Sequence, residues 1–293
     1  MNLQFDPTRS FNRFGRGGAS LMSRNGASLS NEEIAKACPS VFAIEKHESR
    51  SDRYTYMPTG AVIDGLRKEG FQPVAVRQGG SKDEMKRGFT KHMIRFRKSG
   101  LVARAVGDSV PEVCLLNSHD GTSAYELFMG WFRLICLNGM VVSDHSRPNA
   151  HVRVPHKGDV VGQVIDGAYR VIDEVDHVAE KVGRFQTLML AAPEQQAFAT
   201  AAAQLRFEGD SPIKASALNA GRRPEDTGND LWRTFNRVQE NLVRGGIGYS
   251  QANSEGRIIH RHTRPIQSVD GDVKLNRALW VLADEMAKLK EAA

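Results

Sequence analysis

Thr90-Lys-His-Met-Ile-Arg-Phe-Arg-Lys98 alternates strictly along its length. His92, Ile94 and Phe96 fall on one side of an extended chain. Lys91, Arg95 and Arg97 fall on the other, with Met93 among them. A period of two marks a strand with one face in a core, as in an antiparallel sheet. His92 on the apolar side reads as a core histidine. The opposite side reads as a row of cations, extended by Arg87 before it and Lys98 after it. Such a row is either a solvated outer sheet face or a phosphate-binding surface. Three cations on one strand face exceed what an edge needs against aggregation.

The neighbouring stretches supply the rest of a sheet and its helices. Phe71 to Val76, Leu101 to Val106 and Val113 to Leu116 read as strands, and residues 41–57 as strand material around a polar turn. Ser30-Asn-Glu-Glu33 is a capping box that opens a short helix to Ala37. Thr59 to Lys68 reads as a helix with Ala61, Val62 and Leu66 inward and Gly70 as its stop. Asn117-Ser-His-Asp-Gly-Thr-Ser123 then leads into a second capping box, Ser123-x-x-Glu126. It predicts a helix with Tyr125, Phe128, Met129, Phe132 and Cys136 as its buried stripe, ended by Gly139 before a strand at Met140 to Val142.

That junction is the most site-like local feature. Free amides at a helix start hold a phosphate or carboxylate. Asn117, His119, Asp120, Thr122 and Ser123 are therefore either an anion-binding turn or an ordinary structural cap. His119 and Asp120 also have the chemistry of a proton-transfer pair. His145, His151 and His156 follow, with Asp144, but their spacing matches no standard zinc pattern. No metal and no cofactor is predicted, and no nucleophile–base–acid arrangement is legible.

The register changes after Gly158. Val161, Ile165, Ala168, Ile172, Val175, Ala179 and Val182 alternate spacings of four and three, a heptad seam. With a helix over Pro193 to Phe207 it predicts a long helical hairpin, or a seam that meets its own copy in a homo-oligomer. Residues 208–219 read as a linker. In Arg222-Arg-Pro-Glu-Asp-Thr-Gly-Asn-Asp230, Asp226, Thr227 or Asn229 then caps a helix over residues 228–244, which Gly245-Gly246 stop. Leu231, Phe235, Val238 and Leu242 form its apolar stripe, and Arg233, Arg237, Glu240 and Arg244 lie nearly opposite. A loop with Arg257, His260, Arg261, His262 and Arg264 follows, and a last helix runs from about Val273 to Leu289. Residues 221–268 hold eight Arg and no Lys. Arginine, unlike lysine, makes bidentate phosphate contacts and stacks on bases.

These elements define an α+β protein. A mostly antiparallel sheet with packed helices makes up a sheet-rich part (30–156), and the helical hairpin and further helices a helix-rich part (157–293), read as one domain. Residues 1–29, with Arg9, Arg13, Arg16 and Arg24 among Gly, Ser and Asn, read as a flexible basic arm. The 293 residues carry a net charge of +6. The charge is clustered: residues 67–104 hold eleven Lys/Arg against three acids, and residues 105–144 one Arg against five acids. Clustered positive charge is the footprint of a polyanion site. Three cysteines, Cys38, Cys114 and Cys136, form no disulfide framework. No apolar run has the length of a membrane span, and the first residues lack the core of a signal peptide, so a cytoplasmic protein with no membrane partner is expected.

Three of the stretches above carry a resemblance: Asn117-Ser-His-Asp-Gly-Thr-Ser-Ala, Phe132-Arg-Leu-Ile-Cys-Leu-Asn-Gly-Met-Val-Val, and Arg222 through Gly246. The chain resembles, over roughly residues 35–290, an uncharacterised phage/plasmid-like protein family. The family is a domain of unknown function, so the resemblance implies no catalytic residues. Its members are carried by prophages, conjugative plasmids and integrative elements, often near replication and recombination genes, which implies DNA as a partner.

The expected function is therefore a non-enzymatic nucleic-acid-binding protein of a mobile element, a single-stranded DNA binder or annealer. Its expected contacts are Arg87, Lys91, Arg95, Arg97, Lys98, Arg222, Arg223, Arg233, Arg237, Arg244, Arg257 and Arg261. Two alternatives stand beside it. One is an anti-defence protein that binds a host nuclease or nucleic-acid-guided complex. The other is a metal-dependent phosphodiester enzyme using His119 and Asp120.

Overall fold

The computed structural model describes residues 9–13, 18–23, 25–43, 57–103, 105, 109–133, 139–141, 149–207 and 211–292. Its first half is built on an antiparallel sheet. β1 (Arg9–Arg13) and β2 (Ala19–Ser23) pair at one side of it, so part of the expected arm is sheet. α1 (Asn31–Ala37) starts at Ser30, whose hydroxyl accepts from Glu33 N while Glu33 accepts from Ser30 N, the full capping box. α2 (Thr59–Lys68) follows, ending before Gly70, whose φ of 83° is a left-handed value that glycine adopts without strain. β3 (Phe71–Gln78), β4 (His92–Lys98), a one-turn helix α3 (Ser99–Val102), β5 (Ser109–Asn117), β6 (Tyr125–Arg133), β7 (Gly139–Val141) and β8 (His151–Val154) complete the sheet region. The strand order is β1-β2-β3-β4-β5-β6-β7, with β8 also paired to β6.

The register fixes the two faces. His92, Ile94 and Phe96 of β4 lie beside Asn117, Leu115 and Val113 of β5 and Gln78, Val76 and Pro73 of β3. α2 packs on β3, and α4 (Val160–Ile172) packs on β6, β8 and α2. α4 approaches closely because residue 167 is glycine. A Cβ there would lie 3.1 Å from both Leu127 and Val152, and α4 settles onto that space. Met93, Arg95 and Arg97 lie on the other face with Cys114 and Glu112, as the alternation of the sequence predicts.

Three local expectations are corrected. The helix expected over residues 123–136 is the strand β6; residues 134–138, with Cys136, lie outside the described residues. Every residue of β6 except Glu126 is buried, because both faces of this interior strand are covered. A largely apolar stretch contains a helical stripe by accident, and its period cannot separate a buried strand from a buried helix. The strand expected over Leu101 to Val106 begins as α3, which buries Leu101 and exposes Val102. The loop carrying Arg257 to Arg264 is largely a strand, described below. Most of residues 41–57 and His145 lie outside the described residues.

The seam after Gly158 forms two helices. Asp159 caps α4 by accepting from Gly162 N, and Asp173-Glu174 separates it from α5 (Val175–Thr187). Its buried residues in α4 are Val160, Val164, Gly167, Ala168 and Val171, set mostly one position before the expected ones, and they serve the sheet.

The chain divides into two compact units, residues 1–176 with 267–269, and residues 177–266 with 270–293. The second contains α6 (Ala192–Arg206), α7 (Ala215–Leu218), α8 (Leu231–Arg244), the hairpin β9 (Gly248–Ala252) and β10 (Ile258–His262), and nearly all of α9 (Val269–Ala292). Asp230, rather than the expected Asp226, Thr227 or Asn229, caps α8 through Arg233 N, and Gly245 ends it at φ 63°. α6, α7 and α8 pack together around Phe198, Phe235 and Trp232, with Trp232 and Phe235 stacked.

Candidate nucleic-acid interface

The middle of the strand row is held inside the sheet rather than solvated. Arg95 is only 7% exposed, and its Nε donates to Glu112 Oε2 at 2.6 Å. Arg97 Nη2 donates to Glu112 Oε1, so one fully buried carboxylate holds both guanidinium groups. The Arg95 guanidinium also lies over the Phe132 ring, 3.4 Å from its centroid. Removing either charge partner from such a site leaves an uncompensated buried ion. Lys98 Nζ donates to Tyr169 Oη and sits over the Phe71 and Tyr169 rings. Arg87 pairs with Glu84 on a partly exposed loop, and Lys91 is half-exposed.

The arginines around α8 divide in two. Arg237 is buried and uses all five donors. Nε meets Asn219 Oδ1, Nη1 meets the carbonyls of Asp226 and Gly228, and Nη2 meets Gln195 Oε1 and Thr234 Oγ1. Burial lowers its guanidinium pKa, and Asp230 and Asp226 oppose that shift. Arg222 donates to Asn241 and the Gly245 carbonyl, and Arg223 to Asp226 and Glu240. These three arginines pin the 219–230 segment onto α8. Arg233 and Arg244 are more exposed, but Asp230 and the buried Glu240 pair with them.

The turn expected as an anion site lies between two strands, so no helix start is present there. Asp120 Oδ1 accepts from Thr122 N and Oγ1. Burial raises the Asp120 carboxyl, and hydrogen bonds from Thr122 and Ser118 outweigh it, so the net shift is downward. Ser123 N donates to Ser118 Oγ. His119 is fully buried and its Nε2 lies 3.0 Å from Thr59 Oγ1. Thr59 also meets Asn117 Nδ2, His92 Nε2 and Tyr125 Oη.

Donor counting assigns this cluster. Ser40 Oγ donates to Gln78 Oε1, so His92 Nδ1–H donates to Ser40 Oγ. His92 Nε2 is then bare and accepts the Thr59 proton, while Asn117 and His119 Nε2–H fill the two Thr59 lone pairs. Both rings are neutral in this assignment. Burial accordingly pushes His92 down to about 3 and His119 down to about 4, with neighbouring histidines adding to it. These residues tie α2 to β4, β5 and β6. No group of three metal-ligating side chains occurs among the described residues. His151 pairs with Glu126, and the His156 ring lies against Tyr125.

The hairpin differs from all of these. Tyr249 and Ile259 are half-buried, and the other residues of β9 and β10 are exposed. Asn253-Ser-Glu-Gly256 makes its turn, with Gly256 at φ 76°. Thr263 clamps the base, donating its amide to Ile247 O and accepting from Ile247 N and Gly246 N. Residues 245–266 contain one acid, Glu255, against Arg257, Arg261 and Arg264. Glu255 pairs with Arg257 at the exposed tip. Among the described residues no acid pairs with Arg261 or Arg264. Beside the hairpin runs a groove of about 910 Å³, lined by Arg206, Phe207, Tyr249, Arg261 and Arg264 with the two histidines His260 and His262. Among the described residues its lining has no carboxylate. Arg257 and Arg261 were legible as candidates in the sequence. Arg206 and Tyr249 were not, because only the fold brings α6 beside the hairpin.

An α+β chain with a covered antiparallel sheet and a basic hairpin defines the class by architecture. The chain belongs to the family described as a domain of unknown function, DUF932, whose match spans residues 46–280. It is similar to the UPF0380 protein YafZ and the UPF0380 protein YfjQ, both of Escherichia coli (strain K12). Each is 48% identical over 280 residues, covering 95% of this chain and 98% of the relative. No solved structure matches it. No helix among the described residues is long and apolar enough to cross a membrane.

Proposed function

We propose that this protein binds nucleic acid through the β9–β10 hairpin and the groove beside it, acting in the cytoplasm in the replication or recombination of a mobile element. The single observation that carries the reading is the pairing of its arginines. In the strand row and around α8, guanidinium groups are held by carboxylates or carbonyls. In the hairpin, Arg261 and Arg264 are exposed beside a groove without an acid among the described residues. Cations without partners are what phosphates neutralise, and neutralisation releases counterions from the polymer. The proposal moves the phosphate contacts away from Arg95 and Arg97, which the buried Glu112 holds, and from Arg237, whose five donors are already used.

Electrophoretic mobility with a short labelled oligonucleotide tests it. Retention at low salt that disappears as salt rises is the expected result. No retention at low salt, or retention that salt does not touch, sinks the proposal.

A further inference from the structure

The groove has two kinds of lining. Arg206, Arg261 and Arg264 bring charge, and Tyr249 and Phe207 bring aromatic rings. Both rings and Arg206 recur in a second lobe of about 630 Å³ that continues past Ser250 and Gln251. Charge alone suits any polyanion. Rings set into a groove suit a ligand that brings flat faces to them. In a duplex each base face is covered by the next base pair, and a stiff double helix offers its phosphate ridges to a surface. In a single strand the base faces are free, and the chain bends enough to enter.

The placement of the side chains separates these cases further. Tyr249, Phe207 and Arg206 are half-buried, and Arg206 is anchored by donating to the Arg264 carbonyl. Groups recessed in this way reach a thin chain lying in the groove. A rod resting on the rim meets only the exposed Arg261 and Arg264. Tyr249 and Arg261 are direct partners across the hairpin, which sets a ring and a guanidinium side by side.

We infer that the groove takes a single-stranded polynucleotide, with bases on Tyr249 and Phe207 and phosphates on Arg206, Arg261 and Arg264. The inference rests on the reading that the hairpin binds nucleic acid. Strand state is selected by the rings, and general affinity comes from the arginines.

Fluorescence anisotropy on the full chain tests it, with labelled single-stranded DNA, single-stranded RNA and duplex DNA of equal length. Tyr249→Ala and Tyr249→Phe are the variants, each confirmed folded by an unchanged thermal transition. At least one single strand is expected to bind about tenfold or more tightly than duplex. Tyr249→Ala should lose about tenfold on single strands, the weight of one stacked base, and leave duplex binding unchanged. Tyr249→Phe should keep the wild-type affinity. Absence of binding by all three polymers overturns the functional reading itself. Duplex binding as tight as single-strand binding, or an equal loss on both with Tyr249→Ala, overturns only the strand-state inference.

Discussion

Arg95 donates its Nε–H to Glu112 on the neighbouring strand at 2.6 Å, and both residues are buried. Arg97 shares the same carboxylate. Two cations on one strand are tolerated in the sheet because the next strand supplies one buried anion between them.

Glu112→Gln should therefore destabilise the protein by about 3–5 kcal/mol, since it leaves two guanidinium groups facing a neutral amide. Urea unfolding monitored by fluorescence measures it. Oligonucleotide affinity of the folded fraction should stay at the wild-type value. A variant as stable as wild type contradicts the assignment of these arginines to structure.

The sequence showed the row but not its partner. Alternation along residues 90–98 places Arg95 and Arg97 on one face correctly. Glu112 lies seventeen residues beyond Arg95, and strand register is a property of the sheet rather than of spacing along the chain. The same limit hid the role of Arg237, whose acceptors are mostly carbonyls and amides that no residue type announces. Helices with clear ends were legible: Thr59–Lys68 matches in both bounds, although Ala61 is exposed, and Gly245 ends α8 as expected, although its cap is Asp230. β6 carries no strand period because both its faces are largely apolar. The hairpin gives no strand signal because its strands are exposed on both sides, so neither alternates between core and solvent.

Acid should unfold the sheet unit through its neutral histidines. His92 and His119 are held at about 3 and about 4 in the folded protein, below the ordinary value near 6.5. A depressed histidine stabilises fully above the unfolded value and loses that contribution as pH falls toward the folded one. Each should cost roughly 1.4 kcal/mol per pH unit below about 6.5. Urea midpoints measured across that range check this, and His92→Gln should flatten the slope. A midpoint that does not move between neutral pH and about 4.5 contradicts the neutral network.

Arg237→Lys should behave almost as badly as Arg237→Ala. The five donors of the guanidinium each have an acceptor, and a lysine ammonium has three donors and no fork. Both variants should lose about 3 kcal/mol or more in chemical denaturation. Full rescue by lysine contradicts the clamp.

Gly130→Ala tests the packing behind Arg95. The new Cβ would meet the Phe132 ring at 2.1 Å and Cys114 Sγ at 2.9 Å. Displacing that ring also disturbs its contact with Arg95. The expected loss is about 1–3 kcal/mol, read as a lower thermal midpoint. An unchanged midpoint shows that the ring moves freely and that the packing is looser than described.

The central claim is that the phosphate-binding cations are those of the hairpin, while the arginines of β4 and α8 hold the fold. The most direct measurement is the slope of log affinity against log salt for a single-stranded oligonucleotide. It is to be compared among wild type, Arg261→Ala/Arg264→Ala, and Arg233→Ala/Arg244→Ala. Each lost phosphate contact lowers the slope by about 0.7, so the hairpin double should lower it by about 1.4. The α8 double, whose arginines are already paired with Asp230 and Glu240, should leave it unchanged. A slope untouched by the hairpin double, or one lowered by the α8 double, contradicts the account.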